Sequence, residues 1–151
     1  MMIRLQPMLQ IDAVLGDPQA TPGGPIGERR LIPVLGGQFR GERLRGELLS
    51  GGSDCQVVRA DGVTELDIRV ALACEDGTVV YMRGFGLRHG PAEVMQQMAA
   101  GAEVDPSRYY FREALAFEAP AGCYDWLNRV LAIGSGRRTP NSAIIDVFEV
   151  C

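Results

Sequence analysis

The run from Val63 to Cys74 constrains the fold more than any other stretch of the chain. Its even positions are Thr64, Leu66, Ile68, Val70, Leu72 and Cys74, and its odd positions include Glu65, Asp67, Arg69, Ala71 and Ala73. Alternation with a period of two puts successive side chains on opposite faces of a strand, one apolar and one polar or small. Asp76-Gly77 follows at once. Both residue types tolerate positive φ, so the pair predicts a hairpin turn into a second strand over about Thr78–Leu87.

The same alternation predicts strands near Gln6–Leu15, Arg30–Phe39, Arg43–Leu49, Cys55–Arg59, Tyr109–Glu118, Asn128–Arg137 and Ala143–Val150. The 19 glycines and 9 prolines fall mostly between these segments, as turn residues do in an all-β domain. Asp17–Glu28 is dense in Gly and Pro and reads as a surface loop. One helix of about ten residues is predicted, with Pro91 opening it and Gly101 stopping it. A further helical turn is expected at Cys123–Leu127. At 151 residues the chain suits one domain spanning 1–151. About eight to nine antiparallel strands and one short helix predict an all-β, up-and-down barrel, since closure removes exposed sheet edges.

Composition narrows the chemistry. Every one of the 15 cationic residues is Arg. Without lysine there is no Schiff base and no P-loop, so pyridoxal-phosphate and phosphate-loop chemistries drop out. No cofactor is expected. His89 is the single histidine, and Cys55, Cys74, Cys123 and Cys151 form no C-x-x-C pair, so no metal site is expected. The thiols read as reduced, and the N-terminal segment lacks the pattern of a signal peptide, so a cytoplasmic location is expected. A net charge of −4 argues against nucleic acid as a partner. No apolar run approaches membrane-spanning length, so no membrane partner is expected.

Several short motifs follow one another along the chain: Gly36-Gly37-Gln38-Phe39, Gly41, Leu44 and Gly46, then Gly51-Gly52-Ser53-Asp54, Asp61-Gly62 with Leu66-Asp67-Ile68-Arg69, and Asp76-Gly77. Tyr109-Tyr110-Phe111-Arg112, Phe117-Glu118-Ala119 and Tyr124-Asp125-Trp126-Leu127-Asn128 complete the series. Together they resemble domain-of-unknown-function family 3237, also called uncharacterised protein family 0311, over nearly the whole chain. The resemblance implies a calycin-like β-barrel, often assembled into oligomers, and brings no established activity. Two positions depart from the family pattern: Cys55 stands where Trp is usual, and Ala119 where Thr is frequent. Both bear on the shape of a pocket.

Each long strand offers an apolar face and a polar, small face. On Tyr109–Glu118 the apolar set is Tyr109, Phe111, Leu115 and Phe117, with Glu113 the exception. Two readings follow. Either the polar faces meet water, or they line a partly hollow barrel. Ala71, Ala73, Ala114 and Ala116 on the polar faces favour the second, because alanine is uncommon on wet strand faces and leaves room for a ligand. On that reading Asp67, Arg69, Tyr81, Tyr110, Arg112 and Glu118 converge inside, with Asp54 and Trp126 nearer an end. His89 reads as a turn or capping residue, or as an acid/base at the barrel mouth.

The leading functional expectation is a small-molecule-binding barrel for an oxygenated or carboxylated organic ligand. A cofactor-free isomerase, cyclase or hydro-lyase in the same cavity is the first alternative. A structural or interaction subunit is the second. A homo-oligomer, most simply a dimer, is expected from the surplus of apolar strand face.

Overall fold

The structure, a computed structural model, describes residues 1–151. Its ten strands are β1 (Leu5–Leu15), β2 (Gln19–Gly24), β3 (Gly27–Gly41), β4 (Arg45–Leu48), β5 (Gly52–Val58), β6 (Thr64–Cys74), β7 (Val79–His89), β8 (Tyr110–Glu118), β9 (Ala132–Arg138) and β10 (Ser142–Val150). The single α-helix, α1 (Ala92–Ala99), follows β7. From β6 to β10 the chain meanders, each strand antiparallel to the next. The sheet closes through β1, which pairs with β10 on one side and β3 on the other. β4 and β5 share one position between β3 and β6. The result is a closed eight-stranded antiparallel barrel with two extra strands.

Parity decides what fills it. The even residues of β6 point inward: Leu66 and Leu72 have no exposed surface, and Val70 and Cys74 are buried. Register carries this set to Val80 and Met82 on β7, then to Phe117 and Leu115 on β8 and Ala132 on β9. Glycines face the bulkiest of these residues. A Cβ on Gly136 would lie 2.6 Å from the Phe111 ring, and one on Gly84 the same distance from Leu115 Cδ2. Large side chains set against inward glycines let a small barrel fill its own centre. Burying a Leu or Phe in this way contributes roughly 1.5–3 kcal/mol.

Pro91 immediately precedes α1, as its cap residue, and Gly101 ends it at φ +84°, donating its amide to the Met98 carbonyl. Val94 is buried, and Met98 packs against the core. These contacts fix the helix beside one barrel end, where β7 finishes and β6 begins.

Three local expectations need correction. Asp17–Glu28 is not simply a loop, because β2 pairs with the start of β3. β2 is an exposed edge strand, where Pro22 costs no central ladder bond. The expected strand over Asn128–Arg137 starts only at Ala132. Asp125–Arg129 is a 3-10 turn instead, held by the Asn128 side chain, which donates to the Ala119 carbonyl at 2.9 Å and accepts from its amide at 2.7 Å. Finally, β5 begins at Gly52 rather than Cys55, which places Asp54 within a strand.

Candidate functional site

The polar strand faces meet solvent, and this overturns the expected convergence of six residues inside the barrel. Asp67 and Arg69 project outward, their side chains 53% and 60% exposed, and pair at 3.5 Å. Arg69 Nη1 donates to the Tyr81 hydroxyl at 3.2 Å, so these three do meet, but on the outer wall. Glu118 lies directly across from Tyr81 on that wall and is exposed. Tyr110 is exposed too and stacks on His89 with ring centroids 4.9 Å apart. Arg112 lies over the Tyr110 ring at 5.4 Å. The physical reason is volume: the opposite faces carry Leu, Val, Met and Phe, and eight staves enclose only enough space for those. Trp126 is half-buried at the barrel end away from α1, under the Arg43 guanidinium at 3.4 Å.

Asp54 alone of the eight points inward. It sits across from Ile32 on β3 and Ile68 on β6, both on the inner parity. The β5–β6 ladder has no pairing between Asp54–Ile68 and Val57–Glu65. Asp54 Oδ1 fills the gap by accepting the Asp67 amide at 3.1 Å. Its other oxygen accepts from Gln56 Nε2 at 2.6 Å. Burial still outweighs these bonds, together with the attraction of Arg88 and Arg138, and raises the Asp54 carboxyl above the ordinary aspartate range.

Around Asp54 lies a polar group that alternation alone passes over. Gln56, Thr64, Arg88 and Glu113 are the four buried polar or charged residues of the molecule, between 1% and 8% exposed. Register explains their grouping: Thr64 faces Arg88 across β6–β7, and Glu113 sits between Gly86 and Gly134. A Cβ on Gly86 would meet Glu113 Cγ at 2.8 Å, so those glycines make the space the glutamate occupies. None of the seven ion pairs in the molecule involves Asp54, Arg88, Glu113 or Arg138.

Burial, reinforced by the negative charge of Asp54 and opposed by Arg88, pushes the Glu113 carboxyl up to about 8. It is therefore mainly protonated at neutral pH. Burial, with repulsion from Arg138, holds Arg88 down to about 10, so its guanidinium remains charged. Arg138 is lowered by burial as well.

Gln56, Thr64 and Arg88 form the floor of a cavity of about 790 Å³ between α1 and the barrel end, whereas Asp54 and Glu113 do not line it. Gln56, Thr64, Arg88, Arg30 and Arg138 line it from the barrel, and Met95 and Met98 from the helix side. Two buried atoms here lack any hydrogen-bond partner: Gln56 Oε1 and Arg88 Nε. Leaving such a group unpaired costs about 1–3 kcal/mol, more for a charged one. His89, at the end of β7, also borders the cavity, while its ring stacks outside. A signal for part of this site is visible in the sequence. Glu113 breaks the apolar parity of β8, and Arg88 ends the inward series Val80, Met82, Gly84, Gly86.

Comparison with known proteins places this architecture. A UPF0311 protein of Rhodopseudomonas palustris strain TIE-1 is 41% identical over 142 residues, covering 93% of this chain and 92% of the relative. A UPF0311 protein of Clostridium acetobutylicum is 34% identical over 125 residues, covering 83% and 79%. The crystal structure of a conserved protein of unknown function from R. palustris superposes with a TM-score of 0.94 at 35% identity, covering 100% of this chain and 99% of that one. A structure described as an enzyme from Penicillium herquei shares the fold at TM-score 0.74 and 16% identity, covering 99% and 95%. The family model described as "Protein of unknown function (DUF3237)" matches residues 3–150, and the chain belongs to that family.

Proposed function

We propose that the protein binds a small oxygenated or carboxylated organic molecule in the cavity between α1 and the barrel end. One observation carries the reading: three arginines, Arg30, Arg88 and Arg138, line one cavity, and neither Arg88 nor Arg138 has a carboxylate within ion-pair distance. A ligand carboxylate or other anionic oxygen supplies the partner that these two guanidinium groups lack. The cavity volume falls in the usual range for small-molecule sites.

Titration calorimetry with benzoate tests this. Arg88→Met keeps an unbranched apolar stem while removing the charge. Binding to the wild type that falls at least about tenfold in the variant is expected, in line with a lost charged hydrogen bond. Equal binding by both proteins, or none by the wild type up to millimolar benzoate, refutes the assignment.

A second reading, cofactor-free proton transfer, is favoured by Glu113, which is buried on the strand next to that of Arg88 and reaches the cavity only through a rearrangement of its neighbours. A carboxylic acid held near pH 8 beside a charged arginine is poised as an acid at neutral pH. A distant structural neighbour is described as an enzyme, which fits this reading. Isomerase, cyclase and hydro-lyase reactions that proceed by proton transfer can use such a group as acid or base. Solvent deuterium uptake into bound carbonyl compounds, lost in Glu113→Gln, is the expected signature. Uptake unchanged in that variant removes Glu113 from the chemistry.

A further inference from the structure

Resting on the binding reading above, we propose that Asp54 sets the charge the cavity accepts: it stands behind the floor as a fixed counter-charge to Arg88 and Arg138, so the cavity takes a singly charged anion and turns away a doubly charged one. Gln56 lines the floor, and its Nε2 donates to Asp54 Oδ2 at 2.6 Å. The carboxylate therefore lies immediately beneath the cavity wall. Its other oxygen is held by the Asp67 amide at 3.1 Å, so it is fixed in place.

The charges around the floor can be followed one by one. Arg88 and Arg138 line the cavity, have no ion-pair partner and donate no side-chain hydrogen bond within the chain. The Nε of Arg88 is enclosed, which leaves its Nη edge for the cavity. Asp54 is too far from either guanidinium for an ion pair, yet its charge acts on both. That same charge pushes up the Glu113 carboxyl, which keeps its proton at neutral pH and adds no charge of its own. Two guanidiniums against one carboxylate leave a single positive charge. The other charged groups of the cavity are engaged or wet. Arg30 is held by Glu28, Asp61 by Arg59 at 2.7 Å, and Asp17 is exposed at the rim. His89 turns its ring outward onto Tyr110.

One ligand carboxylate neutralises the surplus. A second carboxylate beside the first finds no free cation and faces Asp54 through the thickness of one side chain. Partly buried like charges are screened far less than surface ones, so the repulsion persists at ordinary salt. Discrimination of at least about tenfold follows from like charges set this close.

The test uses benzoate, phthalate and monomethyl phthalate at neutral pH. Phthalate and its monomethyl ester have similar bodies and differ by one charge. Calorimetry gives affinities, and methyl-labelled methionine spectra place the probe, because Met95 and Met98 border the cavity. Asp54→Asn removes the counter-charge. The new amide can still accept from Asp67, and the Gln56 amide can turn over to pair with it. Asp54→Ser removes the same charge with a smaller side chain, and the comparison of phthalate with its ester in the wild type needs no variant.

The wild type should bind phthalate at least about tenfold more weakly than the monomethyl ester, and neutralising Asp54 should close that gap. Arg138→Gln should weaken benzoate about tenfold, and adding Asp54→Asn should restore it, because the single surplus charge returns. A merely structural role for Asp54 predicts no such restoration. If the wild type binds phthalate as tightly as its ester, charge selection is overturned while carboxylate binding stands. If the gap survives in the Asp54 variants, or the double variant fails to recover benzoate, Asp54 is not the counter-charge. If no probe shifts Met95 or Met98 at millimolar concentration, this inference and the binding reading fall together.

Discussion

Replacing Glu113 by Gln isolates the electrostatic strain at the barrel's interior. The amide matches a protonated carboxyl in size and removes the ability to ionise. In the folded chain Glu113 keeps its proton to about pH 8, whereas the unfolded chain releases it near 4.5. Between those values the folded state binds more protons than the unfolded state, so stability falls as pH rises. The contribution is fully present below the unfolded value and is lost as pH climbs through the folded one. At about 1.4 kcal/mol per pH unit, the wild type loses on the order of 4 kcal/mol between pH 5 and pH 8.5 from this residue alone. Glu113→Gln lacks that loss. Urea unfolding of both proteins across this range separates the residue from every other titrating group, because the rest of the chain is common to both. The two should differ little at pH 5. By pH 8.5 the variant should be the more stable by several kcal/mol. Stability curves that stay parallel within about 1 kcal/mol would falsify the placement of Glu113 as a buried, unpaired acid.

Other outcomes follow from packing and exposure. Gly136→Val drives a side chain into the Phe111 ring and should cost about 1–3 kcal/mol or more in urea melts. Leu66→Ala, at a position with no exposed surface, should cost about 2–5 kcal/mol by the same measurement. Arg112→Ala, on the outer wall, should change stability by no more than about 0.5–1 kcal/mol, and a loss several times larger would contradict its exposed position. The outer wall also carries exposed Phe85 beside Ala114, where the expectation of a homodimer can be tested. Light scattering at micromolar concentration should give a dimer mass that drops in Phe85→Arg, and a wild-type monomer would refute this.

The alternation of Val63–Cys74 and the Asp76-Gly77 turn are enough to infer strand, hairpin and all-β class, because side-chain period and turn φ are local properties. The Pro91–Gly101 bracket likewise marks the helix, since capping depends on a few consecutive residues. Inside and outside are different. Alternation says that two faces exist without saying which is enclosed. Asp67, Arg69 and Arg112 share one parity of their strands with alanines, a composition that suits either a lumen or a wet wall. Closure through β1 decides the matter, because the enclosed volume is consumed by Leu66, Leu72, Phe111 and Leu115 against inward glycines. The candidate site arises from the same event. Gln56, Arg88 and Glu113 lie on three different strands and each looks like an isolated exception to an apolar pattern. Barrel register brings them to one end, and α1 roofs the cavity that Gln56 and Arg88 line. Proximity across strands depends on register and closure, and neither is written in the spacing of residues along a single strand.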